Sequence, residues 1–336
     1  MAKLDAGVQP GRYVAVFAFP FATHAAPLLD LIRGIATSSP STEFFFFSTD
    51  KSNMANFPDG ARDPRFPNIK PRNVHDGVPD GFVPTGNPLA FVHMFLKVMT
   101  GSFRRALVKL EEEMGCKISC LVTDAFYWFG EEIAGERNVP WVPVWIAGPK
   151  SILSHILTDR IRETLGTEGY QGKSLDFIHE FQSLRPADIP SEVFVPDLSA
   201  DPFAEMVHRM GHALPRSTAL ATNYYPSLVA PSTILPSSLA PSKYLPAGPF
   251  FLLPTVASTQ APSADDHSCL PFLDGQPTSS VAFISFGSVI TPPPHELAAL
   301  AGHVSPDDPV VYFRITAAFT YISRKVSTSR KWLLST

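Results

Sequence analysis

The chain has 336 residues, 45% of them hydrophobic and 17% charged, which is the make-up of a folded globular protein with room for two cores rather than of a disordered chain. The 27 basic and 31 acidic residues leave a net charge of −4 with no Lys/Arg stripe, which argues against a nucleic-acid partner. The 3 cysteines, Cys116, Cys120 and Cys269, cannot all pair within the chain and follow no zinc spacing, so reduced thiols in a cytoplasmic protein are expected.

The amino-terminal stretch MAKLDAGVQPGRY is polar, and the apolar run behind it stops at Pro20, so neither a signal peptide nor membrane insertion is expected. That run, residues 13–19 (YVAVFAF), is continuously apolar, as a strand buried on both faces of a parallel sheet must be. After a short polar break, Pro27 suits the first position of a helix, with Leu28, Leu31, Ile32 and Ile35 on one face. Residues 43–49 (EFFFFST) form a second buried strand, completing a βαβ unit. The theme recurs: a helix over 89–114, a strand over 118–124 ending in an acid, a helix over 126–137 and a proline-marked strand over 139–145. This alternation predicts an α/β fold, an open and doubly wound parallel sheet of Rossmann-like type. From about Tyr225 the chain fills with Pro, Ser and Ala, the texture of a semi-extended linker. Residues 280–288 (SVAFISFGS) then restart the opening theme, but the residues after them are too few for a complete second Rossmann-like domain.

Ligands of open parallel sheets bind beyond the carboxyl ends of the strands, where His24 and Asp124 stand. Either could be ordinary, His24 a hydrogen-bonded loop side chain and Asp124 a helix cap. Together they could act as a pair, with the carboxylate fixing the imidazole tautomer and stabilising the imidazolium that forms. Such a pair with no Ser or Cys beside it suits removal of a proton from a hydroxyl carried by the substrate. In the SFGS stretch, Gly287 and Ser288 could close an ordinary strand-end turn or offer donors to a phosphate. No metal motif is recognised, neither HExxH nor paired carboxylates, and no Walker sequence is present.

The segments FAFPFATHAAPLLDLIR, FFFFSTDKSN, HDGVPDGF, SCLVTDAFYWF, WIAGPKSILSH, HRMGHALPRS and SVAFISFGSVITPPPHELAAL occur in this order. In that series the chain resembles the plant family 1 UDP-sugar-dependent glycosyltransferases, in particular the flavonoid 3-O-glucosyltransferase branch, over residues 12–303. The resemblance implies a GT-B architecture: an amino-terminal acceptor domain over 1–250, a linker over 251–268, the start of a UDP-sugar-binding domain over 269–303 and a divergent tail over 304–336. It implies inverting transfer of a hexose to the 3-hydroxyl of a flavonoid (anthocyanidin or flavonol), by a monomer, with UDP-sugar as co-substrate and no cofactor or metal. By position, His24 would be the base and Asp124 its partner. Thr23, Gly287 and Ser288 would face the donor, while Phe21, Leu89, Phe126 and His155 would line the acceptor pocket.

The chain departs from the family pattern at Ala22, which replaces a hydroxyl, at Ile146, where this branch usually has Thr, and at Leu89, where some relatives carry a polar residue. It also contains no donor-binding box of the form Trp-x-Pro-Gln through His-Cys-Gly-Trp-Asn-Ser to Asp/Glu-Gln. These 336 residues are therefore expected not to transfer sugar by themselves. A non-catalytic truncated paralogue that binds flavonoids or a protein partner is the alternative. A nicotinamide-dependent oxidoreductase is disfavoured because PFATHAAP lacks Gly-x-Gly-x-x-Gly.

Overall fold

The computed structural model describes residues 12–21, 24–57, 63–82, 90–225, 227, 243–253, 269–278, 281–285, 293–296, 299, 310–315, 320–323 and 333–334. The chain divides into two compact units, Met1–Val256 and Ala257–Thr336.

In the first unit the elements run β1 (Arg12–Phe17), α1 (Ala25–Ser38), β2 (Thr42–Thr49), α2 (Asp50–Asn56), β3 (Ile69–Val74), α3 (Ala90–Met114), β4 (Cys120–Asp124), α4 (Gly130–Arg137), β5 (Trp141–Trp145), α5 (Pro149–Ile156), α6 (Thr158–Leu165), α7 (Pro202–Ala213), β6 (Leu220–Thr222) and β7 (Tyr244–Pro246). The strands form one 7-stranded sheet in the order β3-β2-β1-β4-β5-β6-β7, every neighbouring pair parallel. The continuous apolar runs now have a reason. Alternate residues feed two different cores: Ala15, Phe17, Phe45 and Phe47 join α3, α4 and α7 on one face, and Val14, Val16, Phe44 and Phe46 join α1 on the other. The strand order reverses at β1, which lies between β2 and β4, so the loops after β1 and β4 open side by side.

Prolines limit pairing where they fall. Pro71, which has no N–H to give, sits in the edge strand β3, and β6 pairs only with Val144 and Trp145, beyond Pro143. On the α3–α4 side, Arg137 holds Glu111 through Nε–Oε1 and Nη2–Oε2 contacts of 2.9 Å each. The same Oε1 accepts the Ile118 N–H, so one ion pair ties the ends of both helices to the approach to β4.

Several expectations need correction. Helix α1 begins at Ala25, before Pro27, which therefore occupies its third position, still within the first turn where a missing N–H costs nothing. Ile35 is 40% exposed, and Leu29 and Ala36 take its place on the buried face. Helix α4 starts at Gly130 rather than 126, because residues 126–129 make tight turns in which the Tyr127 N–H donates to Asp124 O and the Gly130 N–H to Tyr127 O. The elements α2, β3, α5, α6, α7, β6 and β7 are additional to those expected from the sequence.

In the second unit α8 (Cys269–Asp274) is followed by β8 (Val281–Ser285), β9 (Val310–Ile315), β10 (Thr320–Ser323) and β11 (Leu333–Leu334), in a 4-stranded sheet of order β11-β10-β9-β8. The segment expected to be a divergent tail thus supplies strands, and β8 runs parallel to β9 from the Val281–Val310 pair to the Ser285–Arg314 pair. Among the described residues no helix is long and apolar enough to cross a membrane.

Candidate active site

The loop after β1 delivers His24 to the first turn of α1, where it occupies the N-cap position in helical backbone geometry, so its ring leans back over the end of the sheet. The Phe17–Ala18 end of β1 is pinned from three sides. Ala18 N–H donates to Phe47 O (2.9 Å), and Ala18 O accepts from the Tyr127 hydroxyl (3.1 Å) and the Ser48 hydroxyl (3.3 Å). Burial first, and the negative charge of Asp124 second, hold the Tyr127 phenol well above its ordinary pKa, so it serves as a fixed donor.

Asp124 ends β4 and is 2% exposed. Its Oδ1 accepts the Phe126 backbone N–H at 2.9 Å, and its Oδ2 lies 2.7 Å from His24 Nδ1. An ionised carboxylate can only accept, so the proton of this contact resides on Nδ1, and Nε2 is left with its lone pair. The histidine side chain retains 16% exposure, enough for a ligand to reach the ring. Around it the rings of Phe126 (4.6 Å between centroids) and Phe19 (5.2 Å) form an aromatic wall that keeps bulk water from the imidazole–carboxylate contact. A half-buried imidazole with an oriented free nitrogen, beside two aromatic rings set at right angles to each other, can accept a proton from a hydroxyl brought up to Nε2.

The other expected site residues fall into three groups. Phe21 is partly buried, packs edge-on against Phe19 and Phe95, and lines a cavity of about 480 Å³ together with Pro20, Ala25, Thr49, Asp76 and Phe91. Phe126 continues the wall to Trp145 (6.0 Å), whose ring lies 5.9 Å from that of His155. His155 is buried on α5; its Nδ1 has no hydrogen-bond partner, and burial pushes its pKa down to about 4, so it is neutral near pH 7. Thr23, Leu89, Gly287 and Ser288 lie outside the described residues.

Three further contributors carry no signal of their own in the sequence: Phe19, which touches the His24 ring, Trp145, which links Phe126 to His155, and Asp76 on the cavity wall. Phe19 and Trp145 sit at strand ends and read as core. Asp76 lies within the HDGVPDGF stretch, whose place in the motif series is visible but whose role depends on where the segment between β3 and α3 travels.

No family model matches the chain. It is similar to a flavonoid 3-O-glucosyltransferase of Medicago truncatula (46% identity over 291 residues, 86% of this chain and 62% of the relative). It is also similar to a flavonol 3-O-glucosyltransferase of Actinidia chinensis var. chinensis (45% over 292 residues, 86% and 62%). A solved UDP-glucose:anthocyanidin 3-O-glucosyltransferase in complex with UDP superposes with a TM-score of 0.80 at 27% identity, covering 92% of this chain and 68% of that one. The chain thus spans about 62% of the length of the curated relatives it matches. The doubly wound sheet, the solved neighbours and the sequence agreement over 86% of its length converge on one family, and the plant UDP-sugar-dependent glycosyltransferases are the proteins that the chain is similar to.

Proposed function

We propose that the whole protein transfers a hexose, glucose in the first instance, from a UDP-sugar to the 3-hydroxyl of a flavonoid, and that the first unit supplies the base and the acceptor wall. The observation that carries this reading is the 2.7 Å contact between His24 Nδ1 and a buried Asp124, with Phe126 against the imidazole. In this reading Nε2 removes the acceptor hydroxyl proton as the oxygen attacks the anomeric carbon from the face opposite UDP. The bond to the UDP oxygen breaks as the new glycosidic bond forms, so the anomeric configuration inverts. Asp124 offsets the charge of the imidazolium until the proton passes to water. Phe21, Phe126 and Trp145 are the aromatic side chains proposed to meet the polyphenol ring system, with His155 as a neutral polar group beside Trp145. UDP-sugar is a co-substrate, no cofactor takes part, and the setting is a cytoplasmic monomer. Thr23, Gly287 and Ser288 are proposed to face the donor and Leu89 the acceptor.

Because the donor-binding box is absent from these 336 residues, they are expected to bind acceptor without transferring sugar. Titration calorimetry with kaempferol should give saturable binding to this chain, weakened by Phe21→Ala. A version extended with a relative's donor domain should turn over UDP-glucose, and His24→Ala should abolish that turnover while acceptor affinity stays within about threefold. Absence of saturable binding to any flavonol, or full turnover in the His24→Ala variant, would refute the reading.

A further inference from the structure

Helix α7 carries two histidines four residues apart, His208 and His212, in the stretch HRMGH. That spacing places both imidazoles on one helical face, one turn above the other. In sequence the pair is an ordinary helical repeat, but the fold brings to it Asp159, from the first turn of α6 and 49 residues away from His208. His208 Nε2 lies 2.7 Å from Asp159 Oδ1, His212 Nε2 lies 2.9 Å from Asp159 Oδ2, and the two Nε2 atoms are 3.1 Å apart. Among the described residues this is the group of at least three such side chains whose ligand atoms all fall within 4.8 Å of one another.

Protons alone do not satisfy this triangle. Each neutral imidazole has at most one proton to place on Nε2. If both protons point at the carboxylate, the two Nε2–H groups confront each other at 3.1 Å; if one proton bridges the nitrogens, a lone pair faces a carboxylate oxygen. One edge is left unfavourable in either arrangement. A single cation satisfies all three edges at once. With metal–nitrogen and metal–oxygen bonds of about 2.0–2.2 Å, neighbouring ligand atoms of an octahedral or tetrahedral site stand roughly 2.8–3.5 Å apart. Of the observed separations, 2.9 and 3.1 Å lie within that range and 2.7 Å lies just below it.

We propose that Asp159, His208 and His212 form a surface site for a borderline divalent ion of the Zn2+ class, with water completing the coordination. Two imidazoles and a carboxylate select such ions over Mg2+ or Ca2+, which prefer all-oxygen sets. Asp159 and His212 are half exposed and His208 is 24% exposed, so the ion can enter without unfolding either helix. Its structural effect is to clamp α6 to α7. That matters for the neighbouring pocket, because α7 lies directly on the chain at His155: a Cβ at Gly211 would stand 2.1 Å from the His155 carbonyl oxygen.

The test uses the tag-free 336-residue chain after chelator treatment. Calorimetry with ZnCl2 should show one equivalent bound, and Zn2+ should raise the melting temperature. His212→Ala and Asp159→Asn, both at exposed positions, should each weaken binding by more than about tenfold and lose the thermal shift. With Cu2+ as probe, electron paramagnetic resonance should show two coordinating nitrogens in the parent and one in His212→Ala. The proposal is overturned if Zn2+ fails to bind saturably. Equal binding by parent and His212→Ala would also overturn it, since the ion would then be held by residues other than this triad.

Discussion

Replacing Asp124 by Asn tests the proton arrangement at the site with almost no change of shape. The side chain has two clients: Oδ1 accepts from the Phe126 N–H at 2.9 Å, and Oδ2 accepts from His24 Nδ1 at 2.7 Å. An amide has a single oxygen to offer. Turning that oxygen towards His24 would set the amide NH2 against the Phe126 N–H in a position only 2% exposed, and a buried, unpaired backbone donor costs about 1–3 kcal/mol. The oxygen therefore stays on Phe126 and the NH2 faces Nδ1. Nδ1 must then accept, so the ring proton moves to Nε2, the nitrogen proposed as the base. If general-base assistance is worth about 10²–10⁴ in rate, its loss corresponds to about 3–5 kcal/mol of barrier. Nitrogen-15 correlation spectra of the imidazole should show the Nδ1–H tautomer in the parent chain and the Nε2–H tautomer in Asp124→Asn. In the version extended with a relative's donor domain, turnover should fall by that factor with acceptor affinity nearly unchanged. An Nε2–H tautomer in the parent, an unaltered tautomer in the variant, or turnover within about tenfold of the parent would refute this proton arrangement.

Gly130→Ala should destabilise the first unit by about 2–4 kcal/mol in urea denaturation, because the new Cβ would stand 2.5 Å from Trp141 Nε1 and force that indole off the Thr123 hydroxyl it now donates to at 3.0 Å. Arg137→Ala should cost about 3–5 kcal/mol by stranding the Glu111 carboxylate, and Arg137→Lys should recover only part of it, since a lysine cannot reproduce the two-pronged contact; equal stability of the three proteins would contradict this. Acid should weaken the fold through His155, whose folded pKa of about 4 lies below its unfolded value of about 6.5. Above about pH 6.5 the group is neutral in both states and contributes nothing. Between there and pH 4 only the unfolded chain takes up the proton, a penalty that grows to roughly 3 kcal/mol and then levels off. His155→Gln should flatten the stability profile over that window, and an unchanged profile would place the acid sensitivity elsewhere.

The periodic parts of this fold were legible in the residues themselves. Four consecutive phenylalanines at 44–47 leave no polar face, so they can only be a strand covered on both sides, and the sheet accordingly sorts them alternately into two cores. Helix α3, expected over 89–114, runs Ala90–Met114 because nothing within it breaks the helical repeat except Gly101, which a helix tolerates. His24 and Asp124 could be singled out because strand ends are where open sheets bind ligands. Their pairing was expected as well, from the chemistry of the two side chains and the family resemblance, but the contact itself depends on β1 and β4 being neighbours, which a separation of 100 positions leaves undetermined until the sheet is assembled. The same holds for the aromatic wall. Phe19 and Trp145 have the composition of core residues, and only the adjacency of the loops after β1, β4 and β5 turns them towards the imidazole and His155. Strands as short as β6 and β7, of three residues each, carry too few residues for a period to stand out, and long-range packing decides them. Asp159, His208 and His212 make the point once more: an i, i+4 pair is a local fact of the chain, whereas the carboxylate that joins it arrives from another helix, by a route that local propensity does not encode.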